Sequence, residues 1–178
     1  MTNTITKDNN LSATVTLEAM LRRASKETEK VFKKFGYIEM SWIVDTEEKG
    51  MVGVMTPAGS CGASKDVLAA NMRELFKKMG ATRYVMVCEA WTLKQGHTTR
   101  EDAISAIEDA SGTISNMPGR LEVVWLNASD GRESLFAMRE IVRPAKGKPY
   151  LGALELDRNP SQEGRFTNML PVQNATSH

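Results

Sequence analysis

The sequence predicts a single α+β domain, a largely antiparallel sheet of about six strands with two long helices packed on one face. Apolar residues recur at helical spacing in two segments, 17–35 and 65–79. Further runs are rich in β-branched and aromatic residues, which is typical of strands. Short turns join most of these runs, and strands joined by tight turns pair antiparallel. The domain is expected to span residues 14–157.

Length and composition agree with one globular unit. A chain of 178 residues can bury a proper core, and 41% apolar with 25% charged residues is a globular rather than a disordered balance. The net charge of +1 creates no global field towards nucleic acid or a membrane. Two cysteines cannot build a disulfide framework, and residues 1–10 lack the apolar core of a signal peptide. We therefore expect a soluble, cytoplasmic protein.

For the first half of the chain, the sequence predicts a helix followed by a β-hairpin. Residues 1–13 form a polar tail, and the first helix follows over 17–35, with Gly36 as its stop signal. Two β-rich runs, 37–44 and 51–56, are joined by a polar loop, which indicates a hairpin.

The second helix and a long strand come next. Ser64 can cap the helix predicted over 65–79, and Gly80 follows its end. The run 82–93 is predicted as a strand. Residues 95–119 are predicted as a surface insertion with a short helical segment, because loops of this length lie outside the sheet.

For the last part of the chain, the sequence predicts three more strands. Runs 120–127 and 134–143 flank Asp130-Gly131, a strong hairpin signal. A final strand is predicted over 150–156. Residues 158–178 are predicted as an irregular tail whose apolar residues can dock on the core.

The strand at 82–93 carries a carboxylate, Glu89, where a core residue belongs. Because a buried carboxylate without a partner is costly, Glu89 needs an ion pair or access to water. Arg139 is the candidate partner, since it interrupts an apolar alternation in the strand at 134–143. Two interpretations stay open. One is a structural ion pair or a half-exposed sheet face, and the other is a polar pocket edged by Trp91 that holds a ligand or a partner side chain.

A glycine-containing loop precedes the second helix. Backbone N–H groups between Gly59 and Gly62 could hold an anion there, with Lys65 nearby, although the spacing departs from a P-loop. A flexible turn is the alternative. Cys61 of this loop could act as a nucleophile only if His97 reached it as a base. The few, isolated histidines and cysteines give no metal-ligand pair, so no metal or cofactor is expected.

Three short motifs carry a resemblance: Cys88-Glu-Ala-Trp91, Leu151-Gly-Ala-Leu-Glu-Leu156 and Glu163-Gly-Arg-Phe-Thr167. They resemble a family of small bacterial and phage proteins of unassigned function. The resemblance covers about residues 68–171 and implies no activity. It does imply that a shared design includes Glu89, Trp91, Arg165 and Phe166.

Without a catalytic constellation, the predicted function is a non-enzymatic interaction module. In light of the resemblance, it would be a phage or mobile-element accessory protein that binds a host protein. The alternative is a small-molecule or nucleotide-binding protein, followed by a Cys/His hydrolase. The first helix has six Lys and Arg against three Glu, which a solvated face explains better than nucleic-acid binding. The expected partner is another protein rather than a membrane, and the oligomeric state stays open.

Overall fold

The fold is α+β with a largely antiparallel sheet, as the sequence predicts, and the described residues form seven strands. In the computed structural model the described residues are 15–56, 64–93, 117–157 and 166–170, with the single residues 105, 109 and 114. The elements are α1 (Leu17–Phe35), β1 (Ser41–Thr46), β2 (Gly50–Met55), α2 (Lys65–Lys78), β3 (Ala81–Leu93), β4 (Arg120–Ser129), β5 (Ser134–Val142), β6 (Tyr150–Leu151) and β7 (Glu155–Asp157). The helices and the first five strands lie within a few residues of their predicted positions.

All strand pairs of the sheet are antiparallel, in the order β2-β1-β3-β4-β5-β6, and β7 also pairs with β5. The single strand predicted over 150–156 is therefore two short strands. They are separated at Gly152, whose N–H donates to the Glu140 carbonyl at 2.8 Å. The backbones approach closely there, because a Cβ on Gly152 would lie 3.5 Å from that carbonyl oxygen.

Both helices begin at a capping side chain, of which only Ser64 was predicted. The Thr16 hydroxyl accepts the Ala19 N–H at 3.1 Å, and the Ser64 hydroxyl accepts the Val67 N–H at 3.3 Å. Gly36 ends α1 with φ of 79°, a left-handed conformation that favours glycine. On the outer face of α1, three carboxylates bond cations three or four residues away, and the pairs are Glu18–Arg22, Glu27–Lys30 and Glu29–Lys33. This is the pattern of a solvated helix face.

The two helices pack on opposite faces of the sheet, so the expectation of one shared face is wrong. The physical reason lies in β3, which is apolar on both faces. Val85 and Val87 pack against α1, whereas Tyr84 and Met86 pack against α2. A strand that is buried on both faces needs a layer on each side. We call these clusters the α1-side core and the α2-side core.

A segment near the C terminus, Phe166–Leu170, closes the α2-side core. Met169 is completely buried in it. The Phe166 carbonyl accepts two hydrogen bonds from the sheet, one from the Tyr84 hydroxyl at 3.2 Å and one from the Asn127 amide at 3.1 Å. The predicted docking of the tail on the core is thus confirmed for its apolar residues Phe166, Met169 and Leu170.

Candidate functional site

Glu89 is bound to the backbone rather than to an arginine. Its carboxylate accepts the Ile38 N–H at 2.7 Å, and Ile38 lies just beyond the end of α1. Burial raises the pKa of Glu89, the bond from Ile38 lowers it, and the nearby Glu122 carboxylate raises it. This hydrogen bond holds the segment that follows α1 against β3, a central strand of the sheet.

The predicted ion pair between Glu89 and Arg139 is wrong. Glu89 of β3 and Arg139 of β5 both lie opposite Val124 of the intervening strand β4, and both side chains project to the α1 side of the sheet. One strand therefore separates them, and two strand spacings amount to about 9.5 Å. Arg139 instead donates to the Glu29 carboxylate of α1 at 2.8 Å and to the Gly152 carbonyl at 2.7 Å.

Trp91 lies on an open, charged surface. It is 42% exposed, and the Arg120 guanidinium stands over its ring at 5.4 Å from the centroid. Glu122, opposite Trp91, accepts two hydrogen bonds of 2.6 Å from Arg143. Neither Glu89 nor Trp91 lines any of the three cavities described below. The pocket interpretation of this face therefore gains no support.

The other predicted site residues fall into three groups: one packs against the core, one is exposed, and the rest lie outside the described residues. Phe166 packs against Trp42 in the α2-side core, with 6.3 Å between the centroids of the two rings. Lys65 is exposed in the first turn of α2. Outside the described residues lie Gly59, Cys61, Gly62, His97 and Arg165. The anion loop and the Cys/His pair consequently stay predictions.

The titratable groups of the α2-side core keep their protons at neutral pH. Burial raises the pKa of the Cys88 thiol to about 11 and that of the Tyr84 hydroxyl to about 12. A thiol in this state is a poor nucleophile. Among the residues that the structure describes, no group of three or more His, Cys, Asp or Glu could hold a metal ion. In that same part of the chain, neither helix could cross a membrane.

β2 forms one outer edge of the sheet and contains no charged residue. Its sequence is Gly-Met-Val-Gly-Val-Met, and Met51 and Met55 are 38% and 57% exposed. Val52 and Val54 pack against the α2-side core. Because side chains alternate along a strand, Met51, Gly53 and Met55 belong to the α1 side. Natural sheets usually protect an exposed edge with charge, proline or a very short strand, and β2 has none of these.

Hydrogen bonding shows which backbone groups of β2 face outwards. The Thr56 N–H donates to the Met40 carbonyl at 3.3 Å, continuing the register in which Ser41 opposes Met55. Bonded and non-bonded pairs alternate in an antiparallel ladder. It follows that Val52 and Val54 bond to β1, whereas the N–H and C=O groups of three residues point away from the sheet: Met51, Gly53 and Met55.

A cavity of about 190 Å³ lies between α1 and β2. Its lining residues are Met20, Arg23, Ala24, Glu27, Ile43, Met51, Val52 and Gly53. A Cβ added at Gly53 would meet no atom within 4 Å, so the glycine leaves the cavity open along the strand. The sequence interpretation missed this site. The uncharged sequence of β2 could have indicated this site, but only in combination with the position of β2 at the edge of the sheet, which the sequence does not show.

A larger cavity, of about 340 Å³, lies on the α2 side between β4, β5 and β7, with Trp125, Phe136 and Met138 among its lining residues. An adjoining one of about 250 Å³ shares Met138. The charged residues that line these two cavities are Glu140, Glu155 and Asp157. These carboxylates do not converge on a metal-ion site with other described ligands.

Comparison with known proteins gives no relative. No protein-family model, curated protein or solved structure matches this chain, so membership of the bacterial and phage family stays a prediction.

Proposed function

We propose that the protein is a non-enzymatic interaction module that binds an extended segment of another protein by adding it as a strand to β2. One observation carries the proposal: β2 is an uncharged outer strand with unpaired backbone groups on its free side, as far as the structure describes the chain. Strand addition of this kind is a common mode of peptide recognition.

Backbone hydrogen bonds would supply the affinity of such an interface. Met51, Gly53 and Met55 each offer one outward N–H and one outward C=O, which is the spacing that an incoming antiparallel strand matches. Each hydrogen bond contributes a net free energy of roughly 0.5–1.5 kcal/mol. A row of them therefore supports binding of moderate affinity without any catalytic group.

The titrating groups give no support to catalysis, since Cys88 and Tyr84 stay protonated in the core at neutral pH. Small-molecule binding is the alternative, and the α2-side cavity next to Trp125 would be its place. The β2 edge is favoured because its outward backbone groups are preorganised for one kind of partner. If the resemblance to bacterial and phage proteins holds, that partner is a protein of the bacterial host.

The experiment compares two substitutions at Gly53. Gly53→Pro removes an outward N–H while the bonds of Val52 and Val54 to β1 remain, which an edge strand tolerates. Gly53→Ala is the matched control, because it keeps the N–H and its Cβ meets nothing within 4 Å. Peptides are selected on the wild-type protein from a random displayed library, and their affinities are measured by calorimetry.

We expect the selected peptides to protect the amides of Met51, Gly53 and Met55 from hydrogen exchange. Gly53→Pro should weaken them about tenfold or more, equivalent to 1.4 kcal/mol, while Gly53→Ala changes affinity little. The proposal fails if no peptide is enriched, or if every enriched peptide binds the proline variant as tightly as the wild type.

A further inference from the structure

We infer that the strand added to β2 carries an aromatic side chain opposite Gly53, seated in the cavity between α1 and β2. The inference rests on the proposed function and deepens it, because it names the kind of segment that the edge accepts.

The register of the sheet places the incoming side chain over this cavity. Gly53 lies opposite Ile43, and Ile43 packs against the α1-side core. Residues directly opposite each other in an antiparallel pair project to the same face. A partner residue opposite Gly53 therefore projects towards α1, where the missing side chain leaves open space. A large ring opposite an edge glycine fills such a gap better than a small side chain.

The walls of the cavity suit an aromatic ring. Its apolar lining includes Met20, Met51 and Ile43, and methionine sulfur makes favourable contacts with ring edges. At the rim stands Arg23, whose guanidinium can stack on a ring face. The other rim charge, Glu27, is bonded to Lys30 at 2.8 Å, so it does not leave a bare carboxylate beside the ring.

The sequence offers no aromatic residue outside the described residues that could supply the ring. All eleven aromatic residues of the sequence lie within the described residues. The remaining segments, which include 1–14, 57–63 and 171–178, contain no Phe, Tyr or Trp. β2 contains none either, so pairing of β2 with the same strand of a second copy would not fill the cavity with a ring. β6, the outer strand of the opposite edge, carries the exposed Tyr150 but has only two residues and follows Pro149. The occupant that fits best is therefore an extended segment of a different protein.

A double-mutant cycle tests the inference. A selected peptide is compared with a version in which the residue opposite Gly53 is alanine, that residue being identified by nuclear Overhauser contacts to the Gly53 α-protons. Both peptides are measured on the wild type and on Gly53→Val, in which the new side chain occupies the cavity while the outward N–H is kept. Thermal unfolding establishes that the variant is folded.

We expect an aromatic residue at this position in the selected peptides, and a loss of tenfold or more on its change to alanine with the wild type. With Gly53→Val the same change should cost less than threefold, because the ring no longer has a cavity to enter. Arg23→Gln should weaken the aromatic peptide about threefold and leave the alanine peptide unchanged.

Two results would overturn the inference. In the first, peptides protect the β2 amides but tolerate alanine opposite Gly53, which leaves strand addition standing without the aromatic requirement. In the second, the free protein sediments as a dimer that Gly53→Pro converts to monomer, which makes a second copy the occupant. A failure of strand addition itself would instead show as equal binding to the wild type and to Gly53→Pro.

Discussion

The two edges of the sheet differ in how they are protected. At one edge, β2 presents six uncharged residues in a continuous strand. Beyond β5 at the other edge, the described residues form β6 and β7, which are two and three residues long. The turn before β6 contains Lys146, Lys148 and Pro149, and β7 contains Glu155 and Asp157. Short strands, proline and charge are the usual means by which a sheet avoids pairing with other chains.

Among the described residues, one edge of the sheet is therefore protected against further pairing and the other is not. Arg139 strengthens the protected edge, because it bonds the carbonyls of Leu151 and Gly152 and the Glu29 carboxylate of α1. Among the described hydrogen bonds, none joins an arginine side chain to β2 in the way that Arg139 bonds the residues at the other edge. The open edge is thus a local property of β2 and not a general weakness of the sheet.

The largest expected effect comes from removing that arginine. Arg139→Met should lower the free energy of unfolding by about 2 kcal/mol, because two carbonyls and the Glu29 carboxylate lose a charged donor. Amides of β6 and β7 should exchange faster, while those of Met51 and Gly53 stay as they were. Urea unfolding and hydrogen exchange provide the measurements.

Lys33→Met is the matched control. Lys33 also bonds Glu29, at 2.7 Å, but it is exposed, so its loss should cost less than about 0.5 kcal/mol. Equal effects of the two substitutions would mean that Arg139 does not hold the protected edge in any special way.

An intermediate effect is expected in acid. Hydrogen bonds from Lys33 and Arg139 lower the pKa of Glu29 from 4.5 to about 2. A carboxylate with a lowered pKa in the folded state contributes stability above its unfolded pKa, and this contribution disappears as the pH falls towards 2. About 1–2 kcal/mol should be lost, less than the full shift would give, because the side chain is 32% exposed.

The measurement is urea unfolding of the wild type and of Glu29→Gln between pH 6 and pH 2. Their difference in unfolding free energy should shrink steadily below about pH 5. A difference that stays constant over this range would show that Glu29 is not held in its charged form by its two partners.

The smallest expected change in the free energy of unfolding comes from a substitution in β2, the strand at the open edge. Gly53→Val should raise the free energy of unfolding by about 0.5–1 kcal/mol, since glycine weakens a strand and valine favours one. The new side chain has space, because a Cβ there meets nothing within 4 Å. Thermal unfolding measures the gain. A clear destabilisation would mean that Gly53 serves the fold itself rather than the cavity beside β2.

The sequence predicted most of the local structure. Apolar spacing and Gly36 placed α1, Ser64 and Gly80 placed α2, and strand-forming residues with turn signals placed the first five strands. These features act over a few residues. The break in the last strand was missed because it depends on Gly152 approaching Glu140 across the sheet. The opposite packing of the helices was missed although both faces of β3 read as apolar.

Less of the candidate site could be predicted, for two physical reasons. Glu89 was correctly singled out as a carboxylate in need of a partner, but its partner is the backbone N–H of Ile38, and every residue other than proline carries that donor. The position of β2 at the edge depends on β1 pairing with β3 across more than 30 residues of chain. No local pattern reports such pairing.

The docking of Phe166–Leu170 has a consequence for how the chain folds as it leaves the ribosome. A nascent chain that has reached Asp157 already contains all seven strands and every residue of the α1-side core. The α2-side core still lacks Met169, and the Tyr84 hydroxyl and the Asn127 amide still lack their common acceptor on Phe166. Synthesis proceeds from the N terminus, so one layer of the protein can close during translation while the other waits until Phe166–Leu170 has been added.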